Sequence, residues 1–140
     1  MPDEIILEKS RAIERFVARA REEYDGDPIG FEGDATRQDA AVLNMLRACE
    51  AVFELGRHVI ARENLAAAPD ADDIFDRLAE AKWIDPALAG RMKHLGQYRN
   101  IAIHHLQALL APLTVSMIRH RLGVFEDFAR AVARRDGAST

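Results

Sequence analysis

The sequence contains a single cysteine, Cys49, and its aromatic residues make up only 6% of the 140 residues. One cysteine cannot form an internal disulfide, and in an apolar helical pattern we expect it to be a small core residue. No apolar run reaches the ~18 residues of a membrane span, and the acidic N-terminus lacks the basic segment of a secretion signal. We therefore expect a cytoplasmic protein without membrane segments or redox chemistry.

The sequence also lacks alternating apolar and polar residues of the kind found in strands, and it has no internal repeat. Its length suits one domain, and its many Ala, Leu, Arg and Glu residues favour helices. These features predict an all-α, up-and-down helical bundle of four to five helices. We expect residues 1–135 to form a single domain and residues 136–140 to form a flexible C-terminal tail.

Apolar spacing and punctuation residues predict where the helices lie. A Gly-rich, Pro-containing stretch at 25–33 should be a loop, and Thr36 with Asp39 resembles a capping arrangement. Asp85 followed by Pro86 is a strong helix start. The predicted helices are 3–23, 36–62, 72–82, a fourth beginning after Asp85, and a fifth beginning after Pro112.

Charge is unevenly distributed along the chain, although the net charge is only −4. Residues 91–140 contain eight Lys and Arg against three Asp and Glu, and residues 91–125 contain no acidic residue. Arginines, one lysine and four histidines share that segment. It should attract an anion.

The stretch YRNIAIHHLQ, residues 98–107, concentrates hydrogen-bonding side chains in this acid-free segment. On a helix, Asn100 and His104 are four residues apart and share a face, while Arg99 is five residues from His104. We expect Leu95, Ile101 and Ile103 to pack inward and to leave the polar groups at the rim of a groove. Gly96 within this helix indicates a close approach of another backbone or substrate, or a tolerated defect.

These residue types suit cleavage of RNA without a metal ion. A guanidinium can hold a phosphate as a bidentate donor, and an imidazole can give or take a proton near neutral pH. A base would remove the 2′-hydroxyl proton and an acid would protonate the 5′-oxygen that leaves. On this interpretation Arg99 holds the phosphate, His104 is the acid or base, and Asn100 orients the hydroxyl or the imidazole.

The reaction needs both an acid and a base, but His104 and His105 point about 100° apart on a helix. A two-fold dimer would bring two copies of Arg99 and His104 into one cleft, so we expect a homodimer. We include His105, Tyr98 and Lys93 as candidate substrate contacts. A zinc site is less favoured, because the helix has no paired histidines at i and i+4, and we expect neither metal nor cofactor.

The whole chain resembles the HepT-like toxins of the HEPN superfamily. The resemblance covers nearly all of residues 4–133 and rests on stretches such as REEYDGDP, LAEAKWIDPALAGRMKHLGQYRNIAIH and RLGVFEDFARAV. It implies a HEPN-like bundle that homodimerises and a metal-independent RNA endonuclease with a composite site at the dimer cleft. It also implies a bacterial type VII-like toxin–antitoxin module with a nucleotidyltransferase-type (MNT) antitoxin as partner, and it gives no reason to expect DNA binding.

The family motif of arginine, a polar residue, three further residues and histidine falls on Arg99, Asn100 and His104. In HepT-like toxins a tyrosine typically stands two residues after the histidine and accepts adenylyl groups from the antitoxin. This chain has Leu106 there, and leucine has no hydroxyl. Three alternatives follow: neutralisation by binding alone, which we favour, another acceptor such as Tyr98, or loss of the toxin role.

The sequence is therefore compatible with three functional hypotheses. The first is a ribonuclease toxin that uses Arg99 and His104. The second is a non-catalytic module that binds RNA or a nucleotide through the basic segment. The third is a purely structural helical partner of another subunit.

Overall fold

The computed structural model describes residues 3–104 and 111–139. These residues are almost entirely helical, as predicted. A short 3₁₀ helix, Phe31–Gly33, precedes the second long helix. The α-helices are α1 (Glu4–Asp25), α2 (Ala35–Arg62), α3 (Ala71–Glu80), α4 (Pro86–Met92), α5 (Leu95–His104), α6 (Ala111–His120) and α7 (Leu122–Ser139).

Helices α1 and α2 form an antiparallel hairpin, and hydrogen bonds from charged or polar side chains join them at both ends. At one end, Asp3 caps α1 and its carboxylate accepts hydrogen bonds from His58 (2.7 Å) and Arg62 (3.1 Å) near the end of α2. At the other end, Arg37 of α2 donates to the backbone oxygen of Glu23. These contacts fix the register of the hairpin at its two ends.

Helix α7 packs antiparallel against α1, so the end of the chain returns to its beginning. Asp136 accepts a hydrogen bond from the backbone N–H of Asp3 and another from Arg62. It is only 3% exposed. The predicted tail boundary at 136 therefore requires correction, because Asp136 is a bonded part of the domain and α7 continues to Ser139.

Three buried phenylalanines connect the central helices. Phe75 on α3 meets Phe53 of α2 at 6.3 Å between ring centroids and Phe128 of α7 edge-on at 5.7 Å. Each of the three rings is fully buried. This aromatic row gives the middle of the bundle a rigid apolar support.

The predicted helix starts were correct in part. Asp85 accepts from the backbone N–H of Leu88 and Pro86 opens α4, as the sequence indicated. The predicted capping role of Thr36 was wrong, because Asp34 caps α2 by accepting from the N–H of Arg37. An aspartate two residues earlier can make the same capping bond.

The predicted fourth and fifth helices are each divided into two segments. The fourth breaks at His94, which has a left-handed φ of 76°, so that the motif stretch lies on α5 and not on the helix that starts at Pro86. The N–H of His94 donates to Asp72 of α3, which holds the break in place. The fifth is interrupted at Arg121, between α6 and α7.

Candidate functional site

Arg99 on α5 points toward α2 and lies over an aromatic ring. Its guanidinium carbon is 4.6 Å from the centroid of Phe53, a distance at which a cation is attracted to the face of the ring. The Arg99 side chain is 24% exposed to solvent. Arg99 is therefore packed on one face and open to solvent elsewhere.

Glu50 on α2 lies beside Arg99, with 3.6 Å between a carboxylate oxygen and a guanidinium nitrogen. That separation is an ion pair but is longer than a hydrogen bond. Because a guanidinium carries five N–H donors in a planar fork, the pair leaves donors available for an anionic ligand. The arrangement orients the cation without fully satisfying it.

The sequence showed no acidic residue near the motif, and the structure supplies such residues from other helices. Glu50 of α2 faces Arg99, Asp76 of α3 lies 2.7 Å from Lys93, and Asp127 of α7 lies 3.4 Å from Arg91. These partners are distant in sequence. They are brought to the segment by helix packing and could not be found from the local sequence. Because of them, the positive electrostatic potential of residues 91–125 is lower than the sequence of that segment suggested.

The other two motif residues lie further along α5. Asn100 is exposed, and its side chain makes no hydrogen bond with a described residue. His104 is the last residue of α5, one turn after Asn100 and about 7.5 Å along the axis from Arg99. The side chain of His104 and the whole of His105 lie outside the described residues.

The apolar residues around the motif do not all pack as predicted. Leu95 is buried, but Ile101 is 38% exposed and Ile103 is 50% exposed, so the prediction that these isoleucines pack inward was wrong. Tyr98 and Ala102 occupy the buried side of α5 instead. Ile101 and Ile103 are two residues apart, about 200° around the helix axis, so they expose apolar surface on the two flanks of the buried side of α5.

Two groups with possible reactivity are buried nearby. Tyr98 is 8% exposed, its hydroxyl contacts the sulfur of Met45 at 3.8 Å, and burial raises the pKa of the phenol. Burial also raises the pKa of the Cys49 thiol to about 12. Cys49 is therefore an inert core residue, as expected, and the Tyr98 hydroxyl faces the interior.

The remaining candidates lie at the start of α5. Lys93 is half-buried, and its hydrogen bond to Asp76 raises the pKa of the ammonium group. Gly96 lies close to α3, since a Cβ placed on it would be 3.1 Å from the Cβ of Ala71. The group that approaches Gly96 is the side chain of Ala71, whereas the sequence suggested another backbone or a substrate.

Within residues 3–104 and 111–139, no three His, Cys, Asp or Glu side chains are grouped as metal ligands would be. No helix there combines the length and apolarity that crossing a membrane requires.

Comparison with known proteins gives consistent relatives. Residues 6–132 match the family described as Ribonuclease HepT-like. The chain is 33% identical over 126 residues to the mRNA nuclease HepT of Shewanella oneidensis, a match that covers 90% of this chain and 94% of that protein.

Two solved structures have the same fold over nearly their whole length. One is a toxin–antitoxin crystal structure with AMP-PNP, at a TM-score of 0.87 and 32% identity, covering 94% of this chain and 99% of the other. The second is a tri-AMPylated Shewanella oneidensis HEPN toxin in complex with MNT antitoxin, at a TM-score of 0.86 and 32% identity, covering 94% and 98% of the two chains.

Proposed function

Since the chain belongs to the ribonuclease HepT-like family, we propose that it is an RNA endonuclease and the toxin of a bacterial toxin–antitoxin module. The observation that carries the proposal is the position of Arg99, which is supported by Phe53 and beside Glu50 yet retains free donors. Its place five residues before His104 on α5 matches the family motif. The relatives named for mRNA cleavage and for toxin–antitoxin complexes support the same role.

In the proposed mechanism Arg99 binds the scissile phosphate through the edge of its guanidinium. His104 then serves as the proton-transfer group, and the 2′-oxygen forms a bond to phosphorus as the bond to the 5′-oxygen breaks. The proton of the 2′-hydroxyl passes to a base, and an acid returns one to the 5′-oxygen. Asn100, whose amide is free of described partners, orients the hydroxyl or the imidazole. No metal ion is needed for this route.

We propose that the active site is completed by a second copy of the chain. One α5 supplies one Arg99 and one His104 to the reaction, which uses both an acid and a base. Ile101 and Ile103 expose apolar surface on that same helix. These two side chains lie on opposite flanks of α5, so an isologous contact through one flank would cover one of them and bring the two motifs together.

We further propose that a nucleotidyltransferase-type (MNT) antitoxin neutralises the protein by binding alone. The family acceptor tyrosine is replaced by Leu106, and the Tyr98 hydroxyl is buried against Met45. Tyr98 is therefore a poor substitute acceptor. An mRNA substrate would place the activity in the cytoplasm.

Cleavage of a labelled single-stranded RNA in the presence of EDTA tests the proposal. We expect the wild type to cut and Arg99→Ala and His104→Ala to lose about 100-fold or more in rate, as removal of a proton-transfer group does. Matched controls are Arg119→Ala and His120→Ala, which replace the same residue types at exposed positions at the end of α6. Light scattering of each variant reports whether it remains a dimer.

The outcomes separate the three hypotheses. A chain that binds RNA with strong salt dependence but never cuts it, and whose binding survives His104→Ala, is a non-catalytic module. A chain that neither binds nor cuts RNA is a structural partner. Equal rates for His104→Ala and His120→Ala would refute the proposed role of His104.

A further inference from the structure

A cavity of about 210 Å³ lies beside the motif helix, between the α4–α5 turn and the α6–α7 turn. Its floor is apolar and partly aromatic, formed by Leu95, Tyr98, Met117 and Phe125. Leu95, Tyr98 and Phe125 are themselves buried, so they belong to the core and give the floor a fixed shape. The cavity is therefore a built feature of the fold.

The rim of the cavity is basic. Arg91, Lys93, His94 and Arg121 line it, and no acidic side chain does. Arg91 and Lys93 are paired with Asp127 and Asp76. Arg121 is exposed and its guanidinium forms no ion pair with a described residue. At least one full positive charge is thus available at the mouth for an anion.

The cavity is adjacent to the proposed catalytic arginine. Tyr98 lines the cavity and Arg99 is the next residue on the same helical turn, about 100° around the axis. The cavity and the proposed catalytic arginine are thus presented by consecutive residues of one helix.

The size and chemistry of the cavity limit its occupant. Its volume is below the ~300–1,000 Å³ typical of sites for larger small molecules, so it admits one flat ring system. Proteins that recognise single-stranded RNA place unstacked bases against aromatic side chains and bind the adjoining phosphates with basic residues. The floor here is mainly an apolar surface, because Tyr98 is 8% exposed and Phe125 is 1% exposed, and the basic rim supplies the cationic contacts.

We propose that this cavity is a nucleobase subsite, which takes one unpaired base next to the scissile linkage while Arg121 binds the neighbouring phosphate. The inference rests on the proposed function, because it assumes that the ligand is RNA. In this proposal the floor residues determine which base is preferred, and Arg121 contributes to the affinity for RNA. A protein partner docking on the same surface is the competing explanation, and the experiment distinguishes the two.

Binding is measured apart from cleavage with a fluorescein-labelled single-stranded RNA whose riboses are all 2′-O-methylated, since this probe lacks the attacking hydroxyl. We expect Arg121→Ala to weaken binding and to reduce the slope of log affinity against log salt by about 1. Ser116→Trp fills the mouth from an exposed position and should weaken binding about tenfold, as expected for the loss of one stacked base.

Each variant has a matched control. Arg119→Ala removes an exposed arginine of α6 that does not line the cavity, and Ser116→Ala changes the same position without filling it. If Ser116→Trp fails to fold by circular dichroism, Arg121→Ala still decides the phosphate contact. A 2-aminopurine base placed at successive positions of the RNA gives a further readout, since we expect a fluorescence change at one position only.

The results separate failure of this inference from failure of the proposed function. RNA binding that depends on Arg121 and Ser116 in a chain that never cuts would retain the subsite and reject the ribonuclease. The subsite is overturned if Arg121→Ala and Ser116→Trp bind and cleave RNA as well as their controls do. If these two variants lose binding of a protein partner while RNA binding is unchanged, the cavity is a protein-docking surface and the subsite is again overturned. A chain that binds no RNA overturns both.

Discussion

The guanidinium of Arg99 lies 4.6 Å from the centre of the Phe53 ring, and that ring is fully buried. Phe53 in turn packs on Phe75 and through it on Phe128. The orientation of the proposed catalytic cation is thus set by the aromatic core, and only its outer edge is left to solvent. A charged group placed in this way loses little conformational entropy when it binds a phosphate.

Replacing the Phe53 ring beneath Arg99 should lower the rate of RNA cleavage by more than the accompanying loss of stability explains. In Phe53→Leu the cation–π attraction, worth about 0.5–2 kcal/mol, is lost while much of the apolar volume remains. We expect the cleavage rate to fall about 2- to 30-fold, which is that energy expressed as a rate. Phe75→Leu is the control, since it alters the same buried row without touching Arg99. Equal losses of rate in the two variants, at equal losses of stability, would show that the ring does not position the arginine.

Glu50 should oppose the binding of RNA to Arg99. Its carboxylate is half-exposed and lies 3.6 Å from the guanidinium, so it both attracts the cation and repels phosphate. We expect Glu50→Gln to tighten binding of a 2′-O-methylated RNA by about 1.5- to 5-fold, the range for an exposed ion pair. Glu54→Gln is the control, because Glu54 lies one turn further along α2 and pairs with Lys9. Weaker binding by Glu50→Gln would mean that its main effect is to orient Arg99.

The sequence predicted the features that local chemistry determines. Asp85 with Pro86 identified a helix start, and apolar spacing predicted a helix at 72–82, which the structure has as α3 (Ala71–Glu80). Both depend on residues within a turn or two of one another. Such signals are readable because the capping bond and the helical period act over short separations.

The features that the sequence did not reveal depend on how helices meet. Nothing in the acid-free segment indicates that Glu50 of α2 faces Arg99, because the pair is created by packing. The break at His94 is held by Asp72 of another helix, and its left-handed backbone is one that histidine adopts less readily than glycine. The exposure of Ile101 and Ile103 likewise depends on how α5 packs against the other helices, which the apolar spacing within α5 does not determine.

Gly56 should be required for the packing of α3 on α2. A Cβ added there would lie 2.4 Å from Cγ2 of Ile74, which is a severe overlap in a fully buried contact. We expect Gly56→Ala to lower the free energy of unfolding by about 1–3 kcal/mol, as overpacking does. Gly90→Ala is the control, because its Cβ would meet no atom of the described residues within 4 Å, and the variant should gain up to about 1 kcal/mol from better helix propensity. Urea unfolding measures both, and a stabilised Gly56→Ala would contradict the packing argument.

The carboxylate of Asp3 should make stability depend on acid pH. The hydrogen bond from His58, with those from the backbone and Arg62, lowers its pKa from 3.8 to about 2. A depressed carboxyl pKa contributes stability above the unfolded value of 3.8, and this stability is lost as the pH falls toward about 2. In Asp3→Asn the side chain can still cap α1, so the variant isolates the charge. We expect the stability difference between wild type and Asp3→Asn to shrink as the pH falls from about 4 to about 2. A difference that does not change over that interval would contradict the prediction.

Leu106 should determine whether the antitoxin can modify this chain. A leucine cannot accept an adenylyl group, and the Tyr98 hydroxyl is buried, so we expect the wild type to keep its mass when incubated with an MNT nucleotidyltransferase and ATP. Leu106→Tyr restores a phenol at the family position and should gain adenylyl groups in intact-mass spectra, with loss of RNA cleavage. Ile103→Tyr places a phenol at an exposed site on the other side of His104 and should stay unmodified. Adenylylation of the wild-type chain, mapped by peptide mass spectrometry to Tyr98 or to any other hydroxyl, would show that neutralisation does not depend on binding alone.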